Sequence, residues 1–153
     1  MILSHHLNVG KTGEKLAKRF LKKQGYKILT TNFQNRQGRR LGEIDIIASL
    51  NKQLVFVEVK TRFLKNKSLI LPEENIDKFK IQRLEKIIHH YLRTIHQENR
   101  PWRLDAISIW LSYHKEAFHP SRVFPEQNIH YLKYRPLFQK NIHAWIKHLL
   151  SIF

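Results

Sequence analysis

Apolar residues recur at helical spacing from Gly13 to Gln24, where Leu16, Ala17, Phe20 and Leu21 form one stripe. Thr12 is placed to cap the start of this helix and Gly25 to stop it. Glu14 falls on the shoulder of the apolar stripe. Tyr26 to Phe33 (YKILTTNF) predicts a strand, followed by the loop QNRQGRR. From Gly42 to Lys60 the pattern changes to alternation, as two apolar strands meet at a short turn. Leu71 to Asn75 predicts a turn or helix start. Ile76, Phe79, Leu84, Ile87, Ile88, Tyr91, Leu92 and Ile95 then trace a long amphipathic helix, and Trp102 to Leu111 predicts a further strand. The order helix, three strands, helix, strand indicates an α/β fold, a mixed sheet flanked by helices. In the tail, Phe138, Ile142, Trp145, Ile146, Leu149, Leu150 and Phe153 recur at helical spacing, with Lys140, His143 and Lys147 between them. The expected organisation is one domain over residues 1–136 with a C-terminal amphipathic helix over 137–153. That helix would pack on the domain or form a homodimer contact, with attachment to a membrane surface a third possibility.

The alternating segment fixes its own register. Ile44, Ile46 and Ala48 share one strand face, and Glu43, Asp45 and Ile47 the other. On the second run Val55, Val57 and Val59 oppose Phe56, Glu58 and Lys60. A two-residue turn at Asn51-Lys52 pairs Leu50 with Gln53 and sets valines across from isoleucines. A slip of one residue would mix the faces. This register places Asp45 across from Glu58 and Glu43 across from Lys60.

Facing carboxylates repel unless a shared proton, a cation or a metal ion neutralises them. Hard divalent cations such as Mg²⁺ take one or two carboxylates together with substrate phosphate. Lys60 projects from the same face as Glu58, where an ammonium can hold a water and offset charge developing on a phosphate. The competing interpretation is a partly exposed strand face with ordinary charge pairs, Glu43 to Lys60 and Asp45 to an arginine.

Charge narrows the partner. The chain has 153 residues with 28 Lys and Arg against 12 acids, a net charge of +16. Such an imbalance favours a polyanion, nucleic acid first and an anionic membrane second. With no cysteine, disulfide and thiolate-zinc chemistry are excluded, and a cytoplasmic setting is expected. The opening residues lack the long apolar core of a signal peptide, and no run reaches bilayer length.

GxxGE at Gly10 to Glu14, AxxxLxxxGYxIxxxN from Ala17 to Asn32, GEIDIIA, LVFVEVKTR, KxxRL at Lys80 to Leu84 and RLDAISI at Arg103 to Ile109 resemble the bacterial YraN-like family. That family is largely uncharacterised and is grouped with the endonucleases. The resemblance covers about residues 8 to 111 and weakens to about 138. It implies a restriction-endonuclease-like core of the PD-(D/E)xK group, with Asp45 as the motif aspartate, Glu58 as the second acid and Lys60 as the lysine. Ile44 stands where the motif name has proline. Glu14 matches an additional acid on the first helix, as in related archaeal Holliday-junction resolvases. The implied activity is metal-dependent hydrolysis of DNA phosphodiester bonds. Asp45 and Glu58 would hold Mg²⁺ or Mn²⁺, the Val59 carbonyl could add a ligand, and Glu14 would assist. Lys60 would orient the water.

Arg36, Arg39, Arg40, Arg62, Lys65 and Lys67 are candidates to grip phosphates, and Lys80 and Arg83, one helical turn apart, are better placed. For each, the alternative is a solvated surface charge. Trp102 and Tyr26 could stack on bases, although packing in or beside the core is the commoner fate. Gly10-Lys11-Thr12 lacks the leading glycine of a phosphate-binding loop, having His5 there. The ten histidines show no metal-binding spacing. Asp105 is expected to contact an arginine. Three function classes stay open: a DNA nuclease, with branched or damaged DNA as one substrate class, a DNA-binding module without catalysis on the same fold, and a membrane-surface adaptor.

Overall fold

In the computed structural model the described residues are 8–36, 38, 40–64, 78–115, 129–134 and 141–152. Eight elements follow one another: α1 (Val9–Lys23), β1 (Lys27–Gln34), β2 (Glu43–Leu50), β3 (Gln53–Phe63), α2 (Lys78–Thr94), β4 (Trp102–Ser112), β5 (Ile129–Tyr134) and β6 (Ile142–Leu149). The first six repeat the order expected from the sequence. The six strands form one mixed sheet in the order β1-β2-β3-β4-β6-β5. Only β3 and β4 run parallel; the other neighbours are antiparallel.

α1 starts earlier than its apolar stripe implies. Asn8 caps it, its side-chain oxygen accepting from the Lys11 N–H at 3.0 Å, so Thr12 is a helical residue and not the cap. At the other end Gly25 takes φ +86°, the left-handed geometry that a helix stop requires. Leu16, Ala17, Phe20 and Leu21 pack on Ile46, Ala48, Val55, Val57, Ile107 and Ile109. Leu132 and Tyr134 of one edge strand and Ile28 of the other pack against this same cluster, so the sheet curls around α1.

α2 covers the opposite face, where Leu84, Ile87, Ile88, Tyr91 and Leu92 pack on Ile44, Ile47, Leu54, Phe56 and Leu104. Phe79 does not join this stripe; at 71% exposure it lies on the outer side of the first turn. The turn or helix start expected at Leu71 to Asn75, and Ile76, lie outside the described residues. Trp102 packs edge-on against Phe56, ring centroids 5.9 Å apart, and Tyr26 is buried. Packing is the fate of both rings.

The tail corrects the sequence expectation. Residues 142–149 form a strand inserted between β4 and β5, not an appended amphipathic helix. Ile109 pairs with Ile146, Trp110 with Trp145 and Leu111 with Ala144. Ile142, Ala144 and Ile146 bury against α1, while Trp145 joins Trp110 and Leu64 on the other face. A strand covered on both faces needs apolar residues in succession, and that run mimics helical spacing.

Asp105 anchors this strand. Its fully buried carboxylate accepts from Arg103 Nε at 3.0 Å, from the Ser151 N–H at 3.0 Å, and bonds His148 Nε2 at 2.9 Å. Arg103 also donates to Gln53 and to the Tyr26 hydroxyl. Burial alone would raise the Asp105 pKa, but these donors outweigh it and hold the carboxyl below its ordinary value. The expected arginine contact is present. No helix among the described residues is long and apolar enough to cross a membrane.

Candidate active site

The β2–β3 hairpin has the register its sequence dictates. Leu50 pairs with Gln53, Ala48 with Val55 and Ile46 with Val57, and the turn residues Asn51 and Lys52 take φ 48° and 68°. Both central residues are thus left-handed, as a tight hairpin turn demands. The recorded pairing stops at Ile46 and Val57, one step short of Asp45 and Glu58. Instead, Asp45 Oδ2 accepts from the Val59 N–H at 2.7 Å. The Glu43 carboxylate accepts from Gln34 Nε2, and no ion pair to it forms among the described residues.

The strands fork at Asp45. Ile44 packs in the α2-side cluster while Ile46 packs in the α1-side one, so strict alternation breaks between them. On β1, Asn32 lies between the Thr31–Ile46 and Phe33–Ile44 pairs, hence across from Asp45. Its φ of 53° bends that strand at the same place. Asn32 Nδ2 donates to Glu14 Oε2 at 3.0 Å. α1 comes close here because residue 13 is glycine; a Cβ there would lie 2.7 Å from Thr61 Cβ.

Glu58 is 2% exposed. Its Oε1 pairs with Lys60 Nζ at 2.8 Å and with Lys80 Nζ of α2 at 3.2 Å. Its Oε2 is buried without a hydrogen-bond partner. Burial, then the Glu58 charge, and more weakly Glu14, push the Asp45 carboxyl up to about 7, although the Val59 N–H opposes this. The structure therefore gathers Asp45, Glu58, Lys60 and Lys80 at the fork, with Glu14 near enough to act on Asp45 through its charge. Among the described residues no three His, Cys, Asp or Glu side chains stand close enough to hold a metal ion. Any ion here would draw on two carboxylates and complete its shell with other oxygens.

The sequence from 13 to 109, which carries all of these groups, matches the model of uncharacterised protein family UPF0102. This chain belongs to that family. A UPF0102 protein of Caldanaerobacter subterraneus subsp. tengcongensis is 42% identical over 107 residues, covering 70% of this chain and 83% of its own. One from Porphyromonas gingivalis is 39% identical over 126 residues, covering 80% and 88%. The UPF0102 protein of Alkaliphilus metalliredigens is 32% identical over 117 residues, covering 76% and 97%. The UPF0102 match takes in Glu14, Asp45, Glu58, Lys60, Lys80, Arg83 and Asp105, and ends before β5 and β6.

The other basic candidates of this UPF0102 chain are scattered over several elements. Arg62 is exposed two residues beyond Lys60. Arg83 is exposed and lines a cavity of ≈ 70 Å³ with Gly42, Glu43 and Lys80. Arg36 borders a groove between β1 and the end of α2, lined by Thr30 to Asn35, His90 and Thr94. Arg40 is exposed, while Arg39, Lys65 and Lys67 lie outside the described residues. Sequence reasoning missed Asn32, whose signal is its place at the end of the AxxxLxxxGYxIxxxN run. Lys80, expected to meet a phosphate, also pairs with Glu58 here.

Proposed function

We propose that this UPF0102 protein is a metal-dependent DNA endonuclease on a restriction-endonuclease-like core, with branched or damaged DNA as its substrate class. The observation that carries the proposal is the fork itself. A buried carboxylate oxygen of Glu58 has no partner, beside an Asp45 whose ionisation is suppressed by burial and by Glu58. Such an arrangement costs stability unless a ligand satisfies it. The donor set is all hard oxygen, which fits Mg²⁺ or Mn²⁺. Asp45 and Glu58 would hold the ion, with Glu14 assisting through water. A bound ion would lower the pKa of a coordinated water and offset charge developing on the phosphate.

The protein groups supply orientation. The Val59 N–H fixes one oxygen of Asp45. Lys60 brings its ammonium to the Glu58 side of the fork, where it can orient the attacking water and donate to a phosphate oxygen. Lys80 approaches from α2. Arg62 follows Lys60 on β3 and Arg83 lines a cavity with Lys80, and their exposed charge, together with that of Arg36 and Arg40, favours a polyanion. The element order and the parallel β3–β4 pair support the same assignment.

The test is cleavage of labelled linear, flapped and four-way DNA with Mg²⁺ or Mn²⁺, comparing wild type with Glu58→Gln and Lys60→Ala. Metal-dependent cutting that both variants lose is the expected result. One observation favours the alternative, a nucleic-acid-binding protein without catalysis: two ammonium groups already pair with Glu58 and can neutralise it unaided. DNA shifted but uncut, equally by all three proteins, would establish that alternative.

A further inference from the structure

We propose that the outward face of α1 is a ridge that binds the DNA sugar-phosphate backbone and leads it to the fork. This deepens the nuclease proposal and rests on it only for where the strand leads. α1 carries Lys11, Lys15, Lys18, Arg19, Lys22 and Lys23 against one acid, Glu14. At 3.6 residues per turn, Lys11, Lys15, Lys18 and Lys22 fall within about 60° of arc. That arc lies opposite Leu16, Ala17 and Phe20, which face the sheet.

A merely solvated helix face mixes its charges. Here Lys11 and Lys15, Lys15 and Arg19, Lys18 and Lys22, and Arg19 and Lys23 are like-charged at four-residue spacing, each pair destabilising the helix. Glu14 and Lys18 are the one opposite pair at that spacing. The first turn holds no acid, so Lys11 also opposes the helix dipole. The helix thus carries a repulsion that a polyanion would relieve.

The surface is shaped as well as charged. Lys15, Lys18, Arg19 and Lys22 line a cavity of ≈ 300 Å³ bounded by Tyr134, and Lys15 Nζ lies 5.6 Å from the centre of that ring. The ridge begins at the site, because Gly13 abuts Thr61 and Glu14 accepts from Asn32, which lies across from Asp45. From Glu14 to Lys22 the helix rises about 12 Å, a length over which one duplex strand presents three or four phosphates at roughly 3.4 Å of axis each. A lipid surface fits less well. The apolar stripe of α1 is buried, with Leu16 at 1% and Leu21 at 0% exposure, which leaves no face to enter a bilayer.

The test measures binding of a fluorescent 30-base-pair duplex (about three helical turns) in EDTA, where cutting is absent, as a function of KCl. Lys15→Gln/Lys18→Gln/Lys22→Gln is compared with Lys86→Gln/Arg93→Gln/Lys133→Gln, which removes equal charge from exposed positions elsewhere. The α1 variant is expected to bind at least tenfold more weakly at low salt. The slope of log K against log salt should fall by about 2.7, or roughly 0.9 per lost contact. Its Tm in low salt should rise, which also shows that it is folded. Equal losses in the two variants, or no loss in the first, would overturn the ridge. So would tighter binding of wild type to phosphatidylglycerol vesicles than to the duplex at the same salt. Wild-type protein that binds through α1 yet never cuts would uphold the ridge and sink the nuclease proposal alone.

Discussion

Asp45→Asn should make the metal-free protein more stable, although it removes a hydrogen-bonded, largely buried carboxylate. An asparagine oxygen can still accept from the Val59 N–H, which Asp45 Oδ2 now does at 2.7 Å. What the substitution removes is the cost of ionising that group beside Glu58. The folded-state value of about 7 against an ordinary 3.8, at 1.36 kcal/mol per pH unit, sets a ceiling of roughly 4 kcal/mol. Asp45 is partly solvated and its titration is shared with Glu58, so screening reduces the expected gain to about 1–2 kcal/mol. That corresponds to a Tm increase of roughly 3–6 °C. The sign follows from the raised pKa. Below about pH 4 the carboxyl is protonated folded or unfolded, and Asp45 costs little. Its contribution is lost as pH rises through about 7, so the advantage of the variant should grow from pH 4 to pH 8. Thermal melts by circular dichroism in EDTA across that range measure it. Repeating them with Mg²⁺ or Mn²⁺ should raise the Tm of wild type and leave the variant unmoved. A variant less stable at pH 8 in EDTA, or equally improved at every pH, would refute the facing-carboxylate argument.

Asp105→Asn should act in the opposite direction, because it strips the counter-charge from Arg103 and weakens the bonds to His148 and Ser151. A loss of roughly 3–5 kcal/mol is expected, seen as a Tm lower by about 10 °C. Since the Asp105 pKa is depressed, its contribution is present above about pH 4 and lost as pH falls through the lowered value. Wild-type and variant melts should therefore converge in acid. For the last strand, Ile146→Ala removes a fully buried side chain and should cost roughly 2–5 kcal/mol by urea unfolding. Leu150→Ala, at a residue 60% exposed, should stay within about 0.5 kcal/mol. An apolar helix face, on which residues four apart lie together, would make the two costs alike.

The hairpin was legible because its turn and its alternation agree, and each excludes a slipped register. The candidate cluster of Asp45, Glu58 and Lys60 was legible for a similar reason: three ionisable groups on strands otherwise filled with isoleucine and valine. Two features were hidden. The fork at Asp45 depends on Asn32 bending a neighbouring strand and on Gly13 admitting α1 against Thr61, contacts between residues far apart in sequence. β6 was misread because both its faces are buried, Ile142, Ala144 and Ile146 toward α1 and Trp145 away from it. Such a strand shows no period of two. The helix cap failed more simply. Asn8 precedes Leu16, the first residue of the apolar stripe, by about two turns, so the stripe did not draw attention to it.

Chirality links α2 to the chemistry. β3 and β4 are adjacent and parallel, and the chain between them passes through α2. Crossovers of this kind are right-handed in nearly all proteins, so once the sheet order is set the side on which α2 lies is no longer a free choice. Phe56 and Glu58 face that side, and Lys80 stands in the first turn of the helix that arrives there. The meeting of Lys80 with Glu58 therefore follows from the handedness of L-amino acids acting through topology. Two residues with no local sequence relation are brought together by the direction in which the backbone must wind.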